Sequence, residues 1–359
     1  MLEFICEYAL SKLSNEQRAS VKLLRAEYFR NKMQMLKQSA SREDQKEYFQ
    51  INFNNFYGAL NWAISERQVE LGFRLASELG DMWETLGYFK EGLDLLGQLL
   101  ALPPEFDPAM RASVLQIASD LAWQQYDFET AITYSTQVVN LGRQLNLKEK
   151  YAAYINRLGR IYIEQGRYEE AKAVLNEALE LAYCEPENLN PSVVLAQLGE
   201  VELFIGNTVT ARQFFESALT HLTEEDGIFL AIAETDLAEI ELLQGKYEQA
   251  HQWLVTALEP SSQHIRRSIV FFSALAGYLV LSLDGDKTKA AQFYGAIDSL
   301  SEQSGVILGM HYQNLNRERM RIARDMLSEK EWLDAYETGC GWERGETIQK
   351  AKDILSVRI

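Results

Sequence analysis

The sequence predicts an all-α fold: a right-handed superhelix, or α-solenoid, of about six helix pairs, with a helical N-terminal adaptor and a C-terminal cap. Three observations predict it. A two-helix pattern returns every 39 or 40 residues through the middle of the 359-residue chain. Apolar residues recur at the three-and-four spacing of helices, and only six prolines interrupt them. A single helix pair cannot bury its own apolar side, so copies must stack until a continuous core forms.

Taken in order, Leu2–Leu13 (LEFICEYALSKL) reads as an amphipathic helix, and Asn15–Lys37 as a second with Leu24, Tyr28 and Met33 on a broad apolar face. The serines and acids of Ser39–Asp44 suit a break with capping. A third helix is expected over Glu47–Glu66, carrying Phe49, Phe53, Phe56 and Leu60. Residues 1–14 and 15–68 thus form a lead-in without the repeat, 69–300 hold the repeats, and 301–359 the cap.

The stretch 152–182 (AAYINRLGRIYIEQGRYEEAKAVLNEALELA) is the clearest unit. Gly166 stands where its first helix stops, since glycine takes the left-handed conformation at little cost. Equivalent turn positions are Gly87, Tyr126, Gly206, Gly245 and Gly285. Five residues after each turn comes a small residue: Gly92, Ala131, Ala171, Ala211, Ala250 and Ala290. Nine after each lie Leu96, Ser135, Leu175, Phe215, Leu254 and Tyr294; eight before lie Leu79, Ala118, Leu158, Leu198, Leu237 and Gly277. The spacing Leu-Gly-x-x-Tyr, Gly-x-Tyr, Ala-x-x-x-Leu-x-x-Ala is that of a tetratricopeptide repeat, although the period exceeds the ~34 residues usual for one. Surplus length is assigned to longer helices and to loops such as Leu102–Pro108 and Glu185–Pro191, where proline stops a helix. Tyr126 departs from the pattern, because a bulky residue rarely accepts positive φ; that turn is either differently shaped or mildly strained. Beyond Leu300 the pattern ends, with a loop expected over 301–308 and helices over 313–327, 329–337 and 347–355.

Composition narrows the function. A net charge of −17 and a pI near 4.8 argue against direct nucleic-acid binding, which needs a basic surface. Cys6, Cys184 and Cys340 form no CxxC pair, so neither a disulfide framework nor a zinc knuckle is expected, and a reducing cytoplasm fits. No stretch looks like a signal peptide or reaches the roughly 18 apolar residues of a membrane span; Ser268–Leu283 comes nearest and reads as a buried solenoid helix.

No constellation points to catalysis, a metal or a cofactor. Asp284-Gly-Asp-Lys-Thr288 lacks the Gly-Lys pair of a phosphate loop and the twelfth-position Glu of a calcium loop, and falls on a repeat turn. His221, His251, His264 and His311 have no ligand partners at suitable spacing. The remaining candidate is the inner face made by the first helix of each pair. There the register places Gln116, Asp120 and Trp123, then Asn156, Arg160 and Ile163, then Ala196, Glu200 and Leu203, with Arg157 and Gln197 beside them. Asn and Arg side chains can grip a carboxylate or peptide backbone through fixed donors, and Trp123 can anchor an apolar group. Gln116, Asp120, Trp123, Asn156, Arg157, Arg160, Gln197 and Glu200 are therefore the expected contacts for a peptide, protein or small-molecule ligand. Ile232, Leu242, Phe272 and Leu279 make the later repeats more apolar on this face, or mark tight closure.

The flanks carry a further likeness. LEFICEYALSKL, RAEYF (25–29) and NFYGALNW (55–62), together with AAQFYGA (290–296) and AYETG (335–339), resemble the sensor region of bacterial STAND-class signalling ATPases and of LuxR-type and antibiotic-regulator-type transcriptional regulators. The resemblance implies that residues 1–14 are the end of a winged-helix module. It also implies that the chain is a non-enzymatic sensor acting on an ATPase module in the same or a partner chain. The family's phosphate-binding loop and DNA-reading module have no counterpart in these residues, so neither activity carries over. A free-standing peptide-responsive regulator or assembly adaptor is the alternative.

Overall fold

The computed structural model describes residues 12–103, 107–145 and 148–356. The helix expected at Leu2–Leu13 lies outside the described residues except for Lys12 and Leu13, which form a turn. Among the described residues the chain forms eighteen α-helices and no strand. It divides into two compact units, Met1–Ile161 and Tyr162–Ile359.

The first unit begins with α1 (Asn15–Ser39), α2 (Arg42–Ile51) and α3 (Phe53–Ser65). Ser14 and Gln17 close a reciprocal capping box at the start of α1. The single helix expected over 47–66 is thus two. Asn52 leaves helical geometry (φ −105°, ψ 13°), and its side chain donates to the Tyr48 carbonyl at 3.0 Å. This local bond competes with the helix ladder, as Asn side chains do. The break folds Phe49 onto Phe56, with ring centroids 5.5 Å apart. Then come α4 (Val69–Leu86), α5 (Phe89–Leu100), α6 (Pro108–Gln124), α7 (Phe128–Leu145) and α8 (Lys148–Gln165), whose last residues belong to the second unit.

The second unit continues with α9 (Tyr168–Cys184), α10 (Pro191–Ile205), α11 (Thr208–Leu219), α12 (Gly227–Leu243), α13 (Tyr247–Ser262), α14 (Ile265–Leu281) and α15 (Lys287–Ser304). It ends with α16 (Met310–Met326), α17 (Glu329–Cys340) and α18 (Arg344–Ser356). Pro108 and Pro191 open α6 and α10 at the position where proline's missing N–H costs nothing, behind Asp107 and Asn190 caps. The loop expected over 301–308 is shorter than its sequence suggested. Helix α15 runs on to Ser304 and stops at Gly305 (φ 70°).

The repeat turns share one geometry. At Gly87, Tyr126, Gly166, Gly206 and Gly245 φ is positive, at 76°, 59°, 78°, 100° and 71°. After each, the next N–H reaches back to a carbonyl five residues earlier, as in Asp127 to Ala122 at 3.0 Å and Asn207 to Glu202 at 2.8 Å. This is the Schellman arrangement, which satisfies otherwise orphaned helix carbonyls. Tyr126 adopts the shape of its glycine counterparts, so of the two readings it is strain that holds. Arg67 (φ 54°) makes the same turn between α3 and α4, where the sequence pattern gave no warning. Gly285 does not; there the chain is so close that a Cβ would fall on the Leu279 carbonyl oxygen.

All the anchor residues read from the repeat are buried. Each fully buried Leu or Phe among them contributes about 1.5–3 kcal/mol of transfer free energy. Ile232, Leu242, Phe272 and Leu279 are buried too. The last repeats and the C-terminal helices share one core, in which Phe272, Phe293 and Tyr294 join Trp332, Trp342 and Leu355. Helix α14 is buried along 267–280, and no described helix is long and apolar enough to cross a membrane.

Candidate functional site

Helices α6 and α8 bring four of the expected ligand contacts into one array in the first unit. Gln116, Asp120 and Trp123 follow one another at i, i+4 and i+7, which puts them on one face of α6. Gln116 Nε2 donates to Asp120 Oδ1 at 2.9 Å, and Arg157 Nε of α8 donates to the same oxygen at 2.6 Å. The Arg157 guanidinium lies over the Trp123 ring, 4.9 Å from its centroid. Such a stack is worth about 0.5–2 kcal/mol and fixes the side chain's direction. Burial raises the Asp120 carboxyl above its ordinary range, against the pull of Arg157.

The array is half-buried: the side chains of Arg157 and Asp120 keep 33% and 19% of their exposure. Gln116 Oε1 is buried and has no hydrogen-bond partner. Asn156 and Arg160 are half-buried on α8, one residue before and three after Arg157. The surface therefore offers an indole face and a positioned guanidinium, with the unfilled Gln116 acceptor buried beside them. A ligand with a carbonyl or carboxylate and an apolar side chain matches the two accessible features. A peptide carries them together.

Gln197 and Glu200 stand differently, and the expectation that they line an open face needs correction. Each is only 1% exposed. In the second unit the corresponding faces of α10, α12 and α14 are filled by α16 of the same chain. Tyr312 donates to Asp236 Oδ1 at 2.7 Å, Ser273 to Asn316 at 2.5 Å, and Arg319 makes a two-pronged pair with Glu239. Arg267 approaches Glu200 at 3.5 Å. His311 stacks on Phe204 with centroids 4.4 Å apart. Tyr312, Asn316 and Arg319 recur at i, i+4 and i+7, so one face of α16 supplies these three polar contacts, while Arg267 belongs to α14.

The electrostatics suit a permanent filling. Desolvation holds the Asp236 carboxyl well above its ordinary range, with the Glu200 charge adding to the effect, and burial also lifts the Tyr312 hydroxyl, which remains a donor. Charges this deep persist only when paired and hydrogen-bonded. Sequence reasoning missed this cluster. The available signal was acids and an arginine within helices otherwise apolar on every side, as in AETDLAEIELL (233–243).

Other candidate chemistry reduces to local structure. Asp286 caps α15 by accepting from Lys289 N–H at 3.0 Å, and Lys287 Nζ donates to the Ser282 and Gly285 carbonyls. Among the described residues no three or more His, Cys, Asp or Glu side chains gather as a metal site would need.

The tetratricopeptide repeat model matches residues 110–183 and, overlapping, 151–224, which run from α6 through α11. No curated protein sequence matches the chain. Among solved structures, the chain is similar to the Rap conjugation gene regulator of plasmid pLS20 in complex with the Phr* peptide. That likeness has 13% identity and a TM-score of 0.55, over 95% of this chain and 99% of the other. The apo quorum sensor NprR from B. thuringiensis is similar at 15% identity and a TM-score of 0.52, covering 92% and 96%. A signal transduction ATPase with numerous domains from Pyrococcus horikoshii, with a tetratricopeptide repeat sensor, gives 16% identity and a TM-score of 0.52, covering 92% of this chain and 50% of the other. At these identities the likeness is one of fold: an all-helical tetratricopeptide-like solenoid.

Proposed function

We propose that this chain is a non-enzymatic sensor or scaffold of a bacterial signalling or transcriptional regulator. Its ligand is a peptide or a peptide-like segment of a protein, held on the α6–α8 face. One observation carries the reading: Arg157 is braced between the Trp123 ring and the Asp120 carboxylate, beside an unfilled Gln116 acceptor. A guanidinium fixed this way meets a carboxylate or carbonyl without a large loss of side-chain freedom. Asn156 and Arg160 extend the donor set along α8. Helix α16 supports the assignment by exclusion, since it already covers the matching faces of the second unit.

The wider setting follows from the neighbours. The Rap regulator was solved with a peptide bound, and NprR is a quorum sensor. The Pyrococcus horikoshii protein is a signal transduction ATPase with a tetratricopeptide repeat sensor, which supports the sensor-region reading. In that reading the ATPase module lies in the same or a partner chain, and the protein works in the cytoplasm without touching nucleic acid. The free-standing alternative is supported by the likeness to the peptide-bound Rap regulator and to the quorum sensor NprR. An open reading frame that continues upstream into a nucleotide-binding domain decides for the sensor region.

The binding claim is tested by selecting a random dodecapeptide display library on the purified chain and measuring the enriched peptides by fluorescence anisotropy. Trp123→Ala and Arg157→Ala are each expected to weaken binding about tenfold or more, as hot-spot truncations do. Enriched peptides that bind both variants as well as the parent chain would place the ligand elsewhere.

A further inference from the structure

A second cleft lies in the second unit, among α13, the C-terminal end of α14 and the last turn of α18. It encloses about 950 Å³. Its walls include Tyr278, Ser282 and His251, and each of these carries a polar atom with no hydrogen-bond partner: Tyr278 Oη, Ser282 Oγ and His251 Nε2. Tyr278 and Ser282 are only 2% and 3% exposed. A buried hydroxyl without a partner costs about 1–3 kcal/mol, so two beside one imidazole nitrogen mark a place built to receive polar atoms.

The charge around the cleft has one sign. Glu248 and Asp284 line it, and no Lys or Arg does. The C-terminal ends of α14 and α18 reach it and present partial negative charge, while α13 enters it by its first turn, where Glu248 stands. The nearby cation, Lys287, holds its ammonium against the Ser282 and Gly285 carbonyls at 3.0 and 2.9 Å. Apolar surface stands at the rim, where Val255 and Leu283 are 46% and 92% exposed. Hydrogen-bond acceptors, two carboxylates and a greasy lip together select a ligand with a cationic head and an alkyl stem.

We propose that this cleft binds an aliphatic amine in its ammonium form. The N–H groups donate to the Glu248 and Asp284 carboxylates and to the Tyr278 and Ser282 oxygens, and the stem lies along Val255 and Leu283. The site shares no residue with the α6–α8 array, so it stands independently of the peptide-binding reading.

The test is calorimetric titration of the full chain with n-hexylamine, alongside 1-hexanol and hexanoate. Saturable binding of the amine, with no binding of the alcohol or the acid, is expected. The double variant Glu248→Gln, Asp284→Asn should weaken it about tenfold or more, the loss typical of charge-assisted hydrogen bonds. Both residues are exposed, so the variant folds as the parent does. The chain's net charge of −17 makes this arm decisive, because neutralising two carboxylates barely alters diffuse attraction. Unchanged affinity in the double variant, or equal binding of hexanoate, overturns the proposal. Titration with N-acetyl-lysine methylamide then separates the sources. Comparable affinity assigns the site to a partner's lysine side chain, and binding of the free amine alone assigns it to a small molecule; either supports the cleft.

Discussion

Gly295 and Gly339 bring the backbones of α15 and α17 into direct contact. A Cβ at Gly339 would fall on the Gln292 carbonyl oxygen, and one at Gly295 on that of Tyr336. Neither obstacle is a flexible side chain. The approach lets Ser299 donate to the Cys340 carbonyl at 2.9 Å and Tyr336 donate to Asp298. These glycines lie within the AAQFYGA and AYETG stretches singled out in the sequence, and their close crossing is the physical content of that pattern.

Gly339→Ala is accordingly expected to lower stability by about 2–3 kcal/mol, the upper range for overpacking, because backbone must move. Urea unfolding followed by circular dichroism measures it. A midpoint equal to that of the parent chain would mean the helices do not cross this closely.

The Arg319–Glu239 pair, in the room left by Gly277, allows a double-mutant cycle. Arg319→Met alone should cost about 3–5 kcal/mol by leaving a buried carboxylate unpaired. Adding Glu239→Met should recover most of the loss, since a matched apolar pair fills the space. Additive losses in the double variant would show that the two residues do not act as a pair.

Tyr126 holds a left-handed turn that four glycines make elsewhere in the array. Tyr126→Val is predicted to destabilise by about 1–2 kcal/mol, because a β-branched residue tolerates positive φ least. Tyr126→Gly should not destabilise beyond a few tenths, relief of strain offsetting the lost contact with Phe128 and the added chain entropy. Thermal melts of the two variants in the reverse order would refute the strain.

Glu234 gives the fold a pH dependence. Burial raises its carboxyl from 4.5 to about 7, although a hydrogen bond with Thr256 pulls the other way. The native state therefore binds more protons than the unfolded chain between these values, and the contribution is lost as pH rises from about 4.5 through 7. Glu234→Gln should add roughly 1–2 kcal/mol at pH 8, less than the full shift because the carboxylate keeps some access to water. At pH 4 it should add nothing. Paired urea titrations at the two values check this, and equal gains at both would remove Glu234 as the cause.

Much of the architecture was legible because its cause is local. Helix periodicity, the small residue five places after each turn, and glycine at five of the six turn positions act within a single unit. The aromatic-rich run 47–66 was misread as one helix because its break rests on a side-chain bond of Asn52, which composition does not announce. The α6–α8 array was half visible. Helical register put Gln116, Asp120 and Trp123 on one face, but the stack of Arg157 on Trp123 needs the geometry of two helices.

The sequence by itself determined a chain of stacked helix pairs, their beat and their turns, since each follows from residues a few positions apart. Only the tertiary structure decided that α16 fills the faces of α10, α12 and α14. Tyr312 meets Asp236 across 76 residues and Arg319 meets Glu239 across 80. Pairing of buried charges over such distances leaves no periodic trace in the sequence, because it depends on where the folded chain returns and not on what lies next to it.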